Sequence, residues 1–398
     1  MQHDSRTRRL TRVATPRRTL LRASASLIAA ASLAACADNT PVQPRARVPE
    51  NGPKTVALGI NVLPAGQQFP AKVAYLTGSP VGQPAKIQVY DAYGNQMLRF
   101  QAFTDPWDDA SGVEATIGDV NGDGWPDIIA GEGPATNASN GSRLSVWDGK
   151  TGVFIGGGFS LSLTHKGGLR VGAGDIDNDG RDEIFTCFGM SSDVTRMDVL
   201  RYNPQVPNIG YVRTSTTLGQ LTGQKTYDGC RVAGGDVTGD GKDEPVVFFD
   251  GPNNALLVQD LSGKYGYIVR KKPFGTWYTG AASVAVADRY SDGKADVFLG
   301  RLAATDKYAA VRIYDGAKLI TEPTLPIPTF EFPINTGGPT GVWIAARDLN
   351  GDGIPELLAK PTLQWSLSTY VGKTGPSFVG FWLNRTEPGN IVAGGSIG

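Results

Sequence analysis

Five nine-residue segments of the chain set oxygen-bearing side chains at alternate positions around a glycine. Asp119, Asn121, Asp123 and Asp127 surround Gly124 in the first. Asp175, Asp177, Asp179 and Glu183 surround Gly180 in the second, and Asp236, Thr238, Asp240 and Glu244 surround Gly241 in the third. Asp288, Tyr290, Asp292 and Asp296 surround Gly293, and Asp348, Asn350, Asp352 and Glu356 surround Gly353. Carboxylates this close repel unless a cation lies between them or some are protonated. Oxygen donors at positions one, three and five converge if the backbone turns sharply, and the glycine at position six permits the turn. Hard oxygen donors in an irregular loop suit calcium, which takes six to eight oxygens at about 2.3–2.6 Å. Four or five Ca²⁺ ions are therefore expected. The second loop has four acids and should bind best. Tyr290 makes the fourth the weakest, because a phenol is too long for so tight a loop. An acidic turn without metal is the alternative for each.

Other chemistry is sparse. The chain of 398 residues has only two histidines, His3 and His165. No nucleotide-binding loop, catalytic triad or redox motif is found. Glycine, at 52 residues, is roughly twice its usual share, which favours short strands and turns over helical bundles.

The elements that position the loops are legible as a repeat. Ile87–Asp91, Leu144–Asp148 and Val311–Asp315 share one strand-like pattern, with weaker copies at Val199–Asn203, Leu256–Asp260 and Leu367–Val371. Their fourth residues fall at 90, 147, 202, 259, 314 and 370, a near-constant period of the size of one four-stranded propeller blade. Apolar runs follow the acidic segments, so each segment reads as a strand–loop–strand unit. The end of the chain, Ile391–Gly395, is similar to Val232–Gly235, the strand before the third loop. It is expected to complete a blade begun by residues 71–104. This gives an all-β, six-bladed propeller, closed so that no sheet edge is open. A seventh blade would need strands from residues 54–70.

These segments resemble the FG-GAP or VCBS repeats of the integrin α N-terminal propeller and of many bacterial surface proteins. The resemblance covers about residues 71–398 and implies calcium. It also implies a backbone carbonyl ligand at position seven, here Trp125, Arg181, Lys242, Lys294 and Ile354, and a carboxylate at position nine. Dockerin and EF-hand loops share the spacing but sit among helices. The ions are expected to act mainly as structural pins.

Propeller geometry puts the acidic loops on one face. The other face collects the connections between blades and between second and third strands. It carries Trp107, His165, Tyr227, Trp277, Tyr278 and Trp365, candidates for binding a partner or stacking on a sugar, with packing between blades as the alternative for each. His165 reads as an exposed loop residue. Asp105, Asp108 and Asp109 are the clearest acidic cluster outside the loops, and a solvated turn accounts for them.

The first 35 residues hold seven arginines and one acid, with an apolar run at Ala23–Ala35 too short to span a membrane. The run ends Leu33-Ala34-Ala35-Cys36, which resembles a bacterial lipobox, so residues 1–35 are expected to be a signal peptide and Cys36 to carry lipid. Arg17-Arg18 is also similar to a twin-arginine signal, leaving the Sec and twin-arginine routes open. Residues 36–54 read as a proline-rich tether and 55–398 as the propeller. Residues 36–398 hold 31 basic and 37 acidic residues, which gives no basic patch for nucleic acid. Cys187 and Cys230 could form a disulfide or remain as two buried thiols. The function expected is a lipid-anchored binding or adhesion module of the bacterial envelope, at the outer membrane, with a protein or glycan partner. Enzymatic action on a polysaccharide and a scaffold role in an envelope complex are the alternatives.

Overall fold

The computed structural model describes residues 67–103, 110–134, 142–162, 165–189, 195–203, 208–211, 216–217, 228–303, 308–336, 338–362, 367–371, 377–378 and 391–393. The expected signal peptide, Cys36 and the tether lie outside them.

The regular secondary structure of the described residues is almost entirely strand. β1 (Tyr75–Gly78), β2 (Lys86–Tyr90) and β3 (Gln96–Gln101) come first. β4 (Val113–Gly118), β5 (Asp127–Glu132), β6 (Arg143–Trp147) and β7 (Phe154–Ser160) form the next sheet. β8 (Leu169–Gly174), β9 (Glu183–Phe188), β10 (Arg196–Asn203) and β11 (Asn208–Tyr211) follow, with the short β12 (Thr216–Thr217) also paired to β10. β13 (Cys230–Gly235), β14 (Glu244–Phe249), β15 (Ala255–Gln259) and β16 (Tyr267–Lys271) make another sheet. So do β17 (Ala282–Ala287), β18 (Asp296–Arg301), β19 (Tyr308–Tyr314) and β20 (Phe330–Asn335). β21 (Val342–Arg347), β22 (Glu356–Pro361), β23 (Ser368–Val371) and β24 (Ser377–Phe378) form the last sheet of consecutive strands. β25 (Ile391–Ala393) returns to pair antiparallel with β1, matching Leu76 to Ala393 and Gly78 to Ile391. The helix α1 (Gly316–Thr321) is a single short turn region, started by the Asp315 side chain accepting from the Lys318 amide.

The chain is an all-β propeller. Five of its sheets, not the six expected, are blades built from consecutive strands, and each carries one acidic loop between its first and second strands. The remaining sheet, ordered β25-β1-β2-β3, joins the two ends of the described chain and has no such loop. The repeated sequence segments are the third strands of the sheets: β2, β6, β10, β15, β19 and β23. The seventh sheet that residues 54–70 could have supplied is not formed among the described residues, where Gln67–Pro70 are not in a strand.

First strands touch one another in turn, β4 to β8, β8 to β13, β13 to β17 and β17 to β21, so they line the centre. Inner strands are buried along their whole length, as in β4, β5 and β9, because sheets cover both of their faces. Outer strands alternate, as in β20. Apolar packing lies between adjacent sheets rather than in one central core. Phe100 packs with Trp147, Val146 with Phe188, Phe185 with Phe249, and Phe248 with Tyr314 in successive clusters. Phe298 clusters with Leu357, and Tyr75 and Tyr90 cluster with Leu358. Cys187 on β9 and Cys230 on β13 form a disulfide between neighbouring blades, with Cα atoms 5.7 Å apart. A bridge closing about 43 residues contributes about 4 kcal/mol in the chain-entropy model.

Candidate functional site

Each acidic loop begins where a buried first strand ends, and the same local chemistry shapes all five. The first carboxylate turns back to collect backbone amides of its own loop. Asp119 accepts from the amides of Gly122, Asp123 and Gly124 at 2.7–3.1 Å. Asp236 accepts equivalently from Gly239, Asp240 and Gly241. Asp175, Asp288 and Asp348 each accept from the glycine at position six at 2.8 Å. That glycine has φ between 77° and 83° in every loop. Position four is also left-handed, which the sequence reading did not anticipate. Glycine serves there in three loops, but Asn178 (φ 60°) and Ser291 (φ 53°) adopt the conformation with side chains. Asparagine tolerates it better than serine, so the fourth loop carries backbone strain in addition to its unusual Tyr290.

The last carboxylate of each loop starts the second strand and is buried. Glu244 accepts from the Val237 and Thr238 amides and from the Thr238 hydroxyl at 2.9–3.0 Å. Glu356 accepts from the Leu349 amide and the Asn350 side chain, both at 2.7 Å. Asp127 accepts from Asn121 and from the Gly149 amide. Asp296 accepts from the Gly316 amide. Burial pushes the Asp127 carboxyl well above the usual carboxylate range. It also pushes Glu183 and Asp296 up to about 7 and Glu244 up to about 8.

These raised values set a pH dependence for the protein without divalent cations. The folded state holds protons that the unfolded chain releases, so the stabilisation is complete below about pH 4, near the unfolded carboxylate pKa. It is lost as pH rises through about 7 to 8. Cation-free protein is expected to melt lower at about pH 8.5 than at about pH 5.5, and saturating calcium, which needs the charged carboxylates, to oppose that slope. Thermal melting across this range with and without calcium checks both directions.

The geometry fits calcium unequally. Ligand oxygens of Asp175, Asp177 and Glu183 lie within 4.8 Å of one another, as do those of Asp236, Asp240 and Glu244. Two oxygens on opposite sides of one calcium ion are separated by about that much. Asn121 and Asn350 bring amide groups to the corresponding acids of the first and fifth loops. The acids of the fourth loop form no such group among the described residues. Position seven, with Trp125, Arg181, Lys242, Lys294 and Ile354, follows the turn closed by the position-five carboxylate. The Trp125, Arg181, Lys242, Lys294 and Ile354 amides each donate to it at 2.8–3.1 Å.

The second loop differs from the others in one respect. The guanidinium of Arg201, on β10, enters the second loop. Its Nη2 lies 2.6 Å from Asp177 and 3.6 Å from Asp179, and its Nε donates to Glu183 at 2.6 Å. This cation competes for the oxygens calcium would use, which leaves the third loop as the better-prepared site. Arg201→Met is expected to tighten calcium binding at the second loop by about tenfold, readable by titration against the parent protein.

Neighbouring loops are tied together at position eight. The Asp182 amide donates to the Asp119 carbonyl at 2.9 Å, and its carboxylate accepts from the Asp119 amide at 2.7 Å. Asp243 repeats both bonds to Asp175, and the Ala295 amide donates to Asp236. Pro355 has no amide to give, so this chain of bonds does not continue from the fourth loop to the fifth.

The opposite face, where the blade-to-blade connections run, treats the aromatic candidates differently. Trp277 is 60% exposed, with its ring 5.8 Å from that of Tyr278 and the Arg301 guanidinium 4.9 Å from its centre. Tyr278 is buried, with its hydroxyl donating to the Ala281 carbonyl, so it supports Trp277 rather than facing solvent. His165 is also buried, edge-on to Phe188 at 4.6 Å, and is not the exposed loop residue expected. Trp107, Tyr227 and Trp365, with Asp105, Asp108 and Asp109, lie outside the described residues.

Residues 119–186 match the family model for the FG-GAP-like repeat. The comparison with curated proteins gives no match. Among solved structures, the chain is similar to the SapL1 lectin in complex with alpha methyl fucoside, at 14% identity and a TM-score of 0.45, over 80% of this chain and 98% of that one. It is similar to AofleA from Arthrobotrys oligospora at 10% identity and a TM-score of 0.43, over 85% and 94%. It is also similar to the exotype rhamnogalacturonan lyase YesX at 12% identity and a TM-score of 0.36, over 80% and 76%. The chain is an all-β propeller that carries a match to the FG-GAP-like repeat over residues 119–186.

Proposed function

We propose that the chain is a calcium-stabilised binding module that engages a glycan or protein partner through the face opposite the acidic loops. In this reading the composite sheet is the sixth blade of a closed ring. Calcium occupies the first, second, third and fifth loops, and the fourth weakly if at all. Residues 1–35 direct export, Cys36 carries lipid, and the tether holds the propeller away from the bacterial envelope. Division of labour supports it: one face spends its polar groups on shaping loops, while the other exposes a large indole. Among described residues the exposed Trp277, backed by Tyr278 and flanked by Arg301, is the observation that carries the binding assignment. A flat aromatic beside a guanidinium suits stacking on a sugar face or anchoring a protein contact.

Cleavage of a polysaccharide would need a base at that face. Buried His165 does not offer one at the surface.

The test is binding of immobilised envelope polysaccharides and envelope protein extracts by the parent and by Trp277→Ala. Loss of at least about tenfold in affinity, with an unchanged melting temperature, is the expected result. Equal binding by both proteins would remove Trp277 from the site.

A further inference from the structure

The first strands of the five contiguous blades end at equivalent positions beside the acidic loops. The residues there are Gly118, Gly174, Gly235, Ala287 and Arg347. Four are small, with Asp182, Asp243 and Val286 packed close against the three glycines, and the fifth sets a guanidinium at the mouth of the central channel. A cavity of 410 Å³ lies there, lined by Arg347 with Gly235, Asp243, Ala287 and the first acids of the third, fourth and fifth loops. Exposed Ser291 and Gly293 form its rim, so it opens to solvent.

Arg347 is only 6% exposed. Its nearest charges, Asp182 and Asp348, act on it through space. No hydrogen bond or ion pair to its guanidinium is formed among the described residues, and its nitrogens meet the open cavity rather than being fully enclosed. A guanidinium this enclosed keeps little of its hydration, so a ligand that supplies oxygen acceptors through the open cavity is favoured. The surrounding acids are engaged elsewhere: Asp236, Asp288 and Asp348 accept backbone amides of their own loops, and Asp182 and Asp243 accept from the Asp119 and Asp175 amides.

We propose that Arg347 makes the channel mouth a binding site for a small organic carboxylate. The planar guanidinium presents paired donors that match a carboxylate in bidentate fashion. The ring of acids disfavours a second negative charge, so a monoanion is selected over phosphate. The cavity is large enough for a single sugar acid or a smaller carboxylic acid. This assignment does not rest on calcium, although ions in the loops would lower the negative field at the mouth.

Calorimetric titration of acetate, glucuronate and inorganic phosphate into the full propeller, with and without calcium, tests it. Both carboxylates are expected to bind, phosphate at least tenfold more weakly. Arg347→Gln is expected to lose carboxylate binding by tenfold or more, and Arg347→Lys to recover part of it. Melting temperature should not fall in Arg347→Gln, since an unpaired buried charge is removed. Glucuronate binding tighter than acetate would assign the cavity to a sugar acid, and equal binding to the carboxylate alone. Identical titrations of parent and Arg347→Gln, no binding of either carboxylate, or Arg347-dependent preference for phosphate would each overturn the proposal.

Discussion

Removal of calcium is expected to lower the melting temperature of the propeller by on the order of 10–20 °C. A site held at about a hundred times its dissociation constant contributes about 2.7 kcal/mol, and four such sites about 11 kcal/mol. In domains of 150–250 residues each kcal/mol shifts the melting temperature by about 2–4 °C, and by less in a larger one. The loops have little apolar packing of their own and gather three or four carboxylates each. Without a cation, repulsion among them must be met by protonation, which burial already promotes at Asp127 and Glu244. The position-eight bonds carry the consequence outward, since disorder in the first loop frees partners of Asp182 in the second. Melting in chelator and in millimolar calcium measures the difference. A shift below about 2 °C would show that the loops hold their shape through backbone hydrogen bonds alone.

Replacing Arg231 by methionine is expected to destabilise the protein by about 3–5 kcal/mol. Arg231 stands on β13 and projects toward the centre, where its Nη1 lies 2.7 Å from Asp250 and its Nη2 3.4 Å from Glu114 on β4. Arg170 on β8 holds the same Glu114 at 3.0 Å, and the Arg231 guanidinium lies 5.2 Å from the ring centre of Trp343 on β21. One charged network thus ties first strands from several blades together. Burial pushes the Asp250 carboxyl up and the two arginines hold it down, so losing Arg231 strands a buried acid. The double variant Arg231→Met with Asp250→Asn is expected to recover part of the loss, because it removes the orphaned charge as well. Chemical denaturation of the two variants gives the comparison. A loss below about 1 kcal/mol in the single variant would mean that water reaches and solvates the network.

The legible and illegible parts of this fold differ in the distance over which their causes act. The third-strand repeat and the acidic loops are local patterns of nine residues or fewer, so period and spacing exposed them. The pairing of β25 with β1 was readable because Ile391–Gly395 copies the strand before the third loop. Arg201 was not readable as a loop partner, because it lies 18 residues beyond Glu183 on a strand that only the folded sheet brings alongside. The Glu114, Arg170, Arg231 and Asp250 network joins segments more than a hundred residues apart for the same reason. Aromatic residues in connections were visible as a class, but their exposure depends on the neighbouring blade. Trp277 and Tyr278 are adjacent in sequence, yet one faces solvent and the other is buried beneath it. Positive φ at Asn178 and Ser291 was hidden because neither residue type announces it as glycine does.

The central claim is that these loops are calcium sites, and calorimetric titration of calcium into the cation-stripped protein addresses it most directly. Four or five ions are expected to bind, with Asp240→Ala removing a tight site and Asp292→Ala changing little. No heat of binding at millimolar calcium would contradict the claim, reducing the loops to acidic turns shaped by their own backbone while leaving the propeller fold intact.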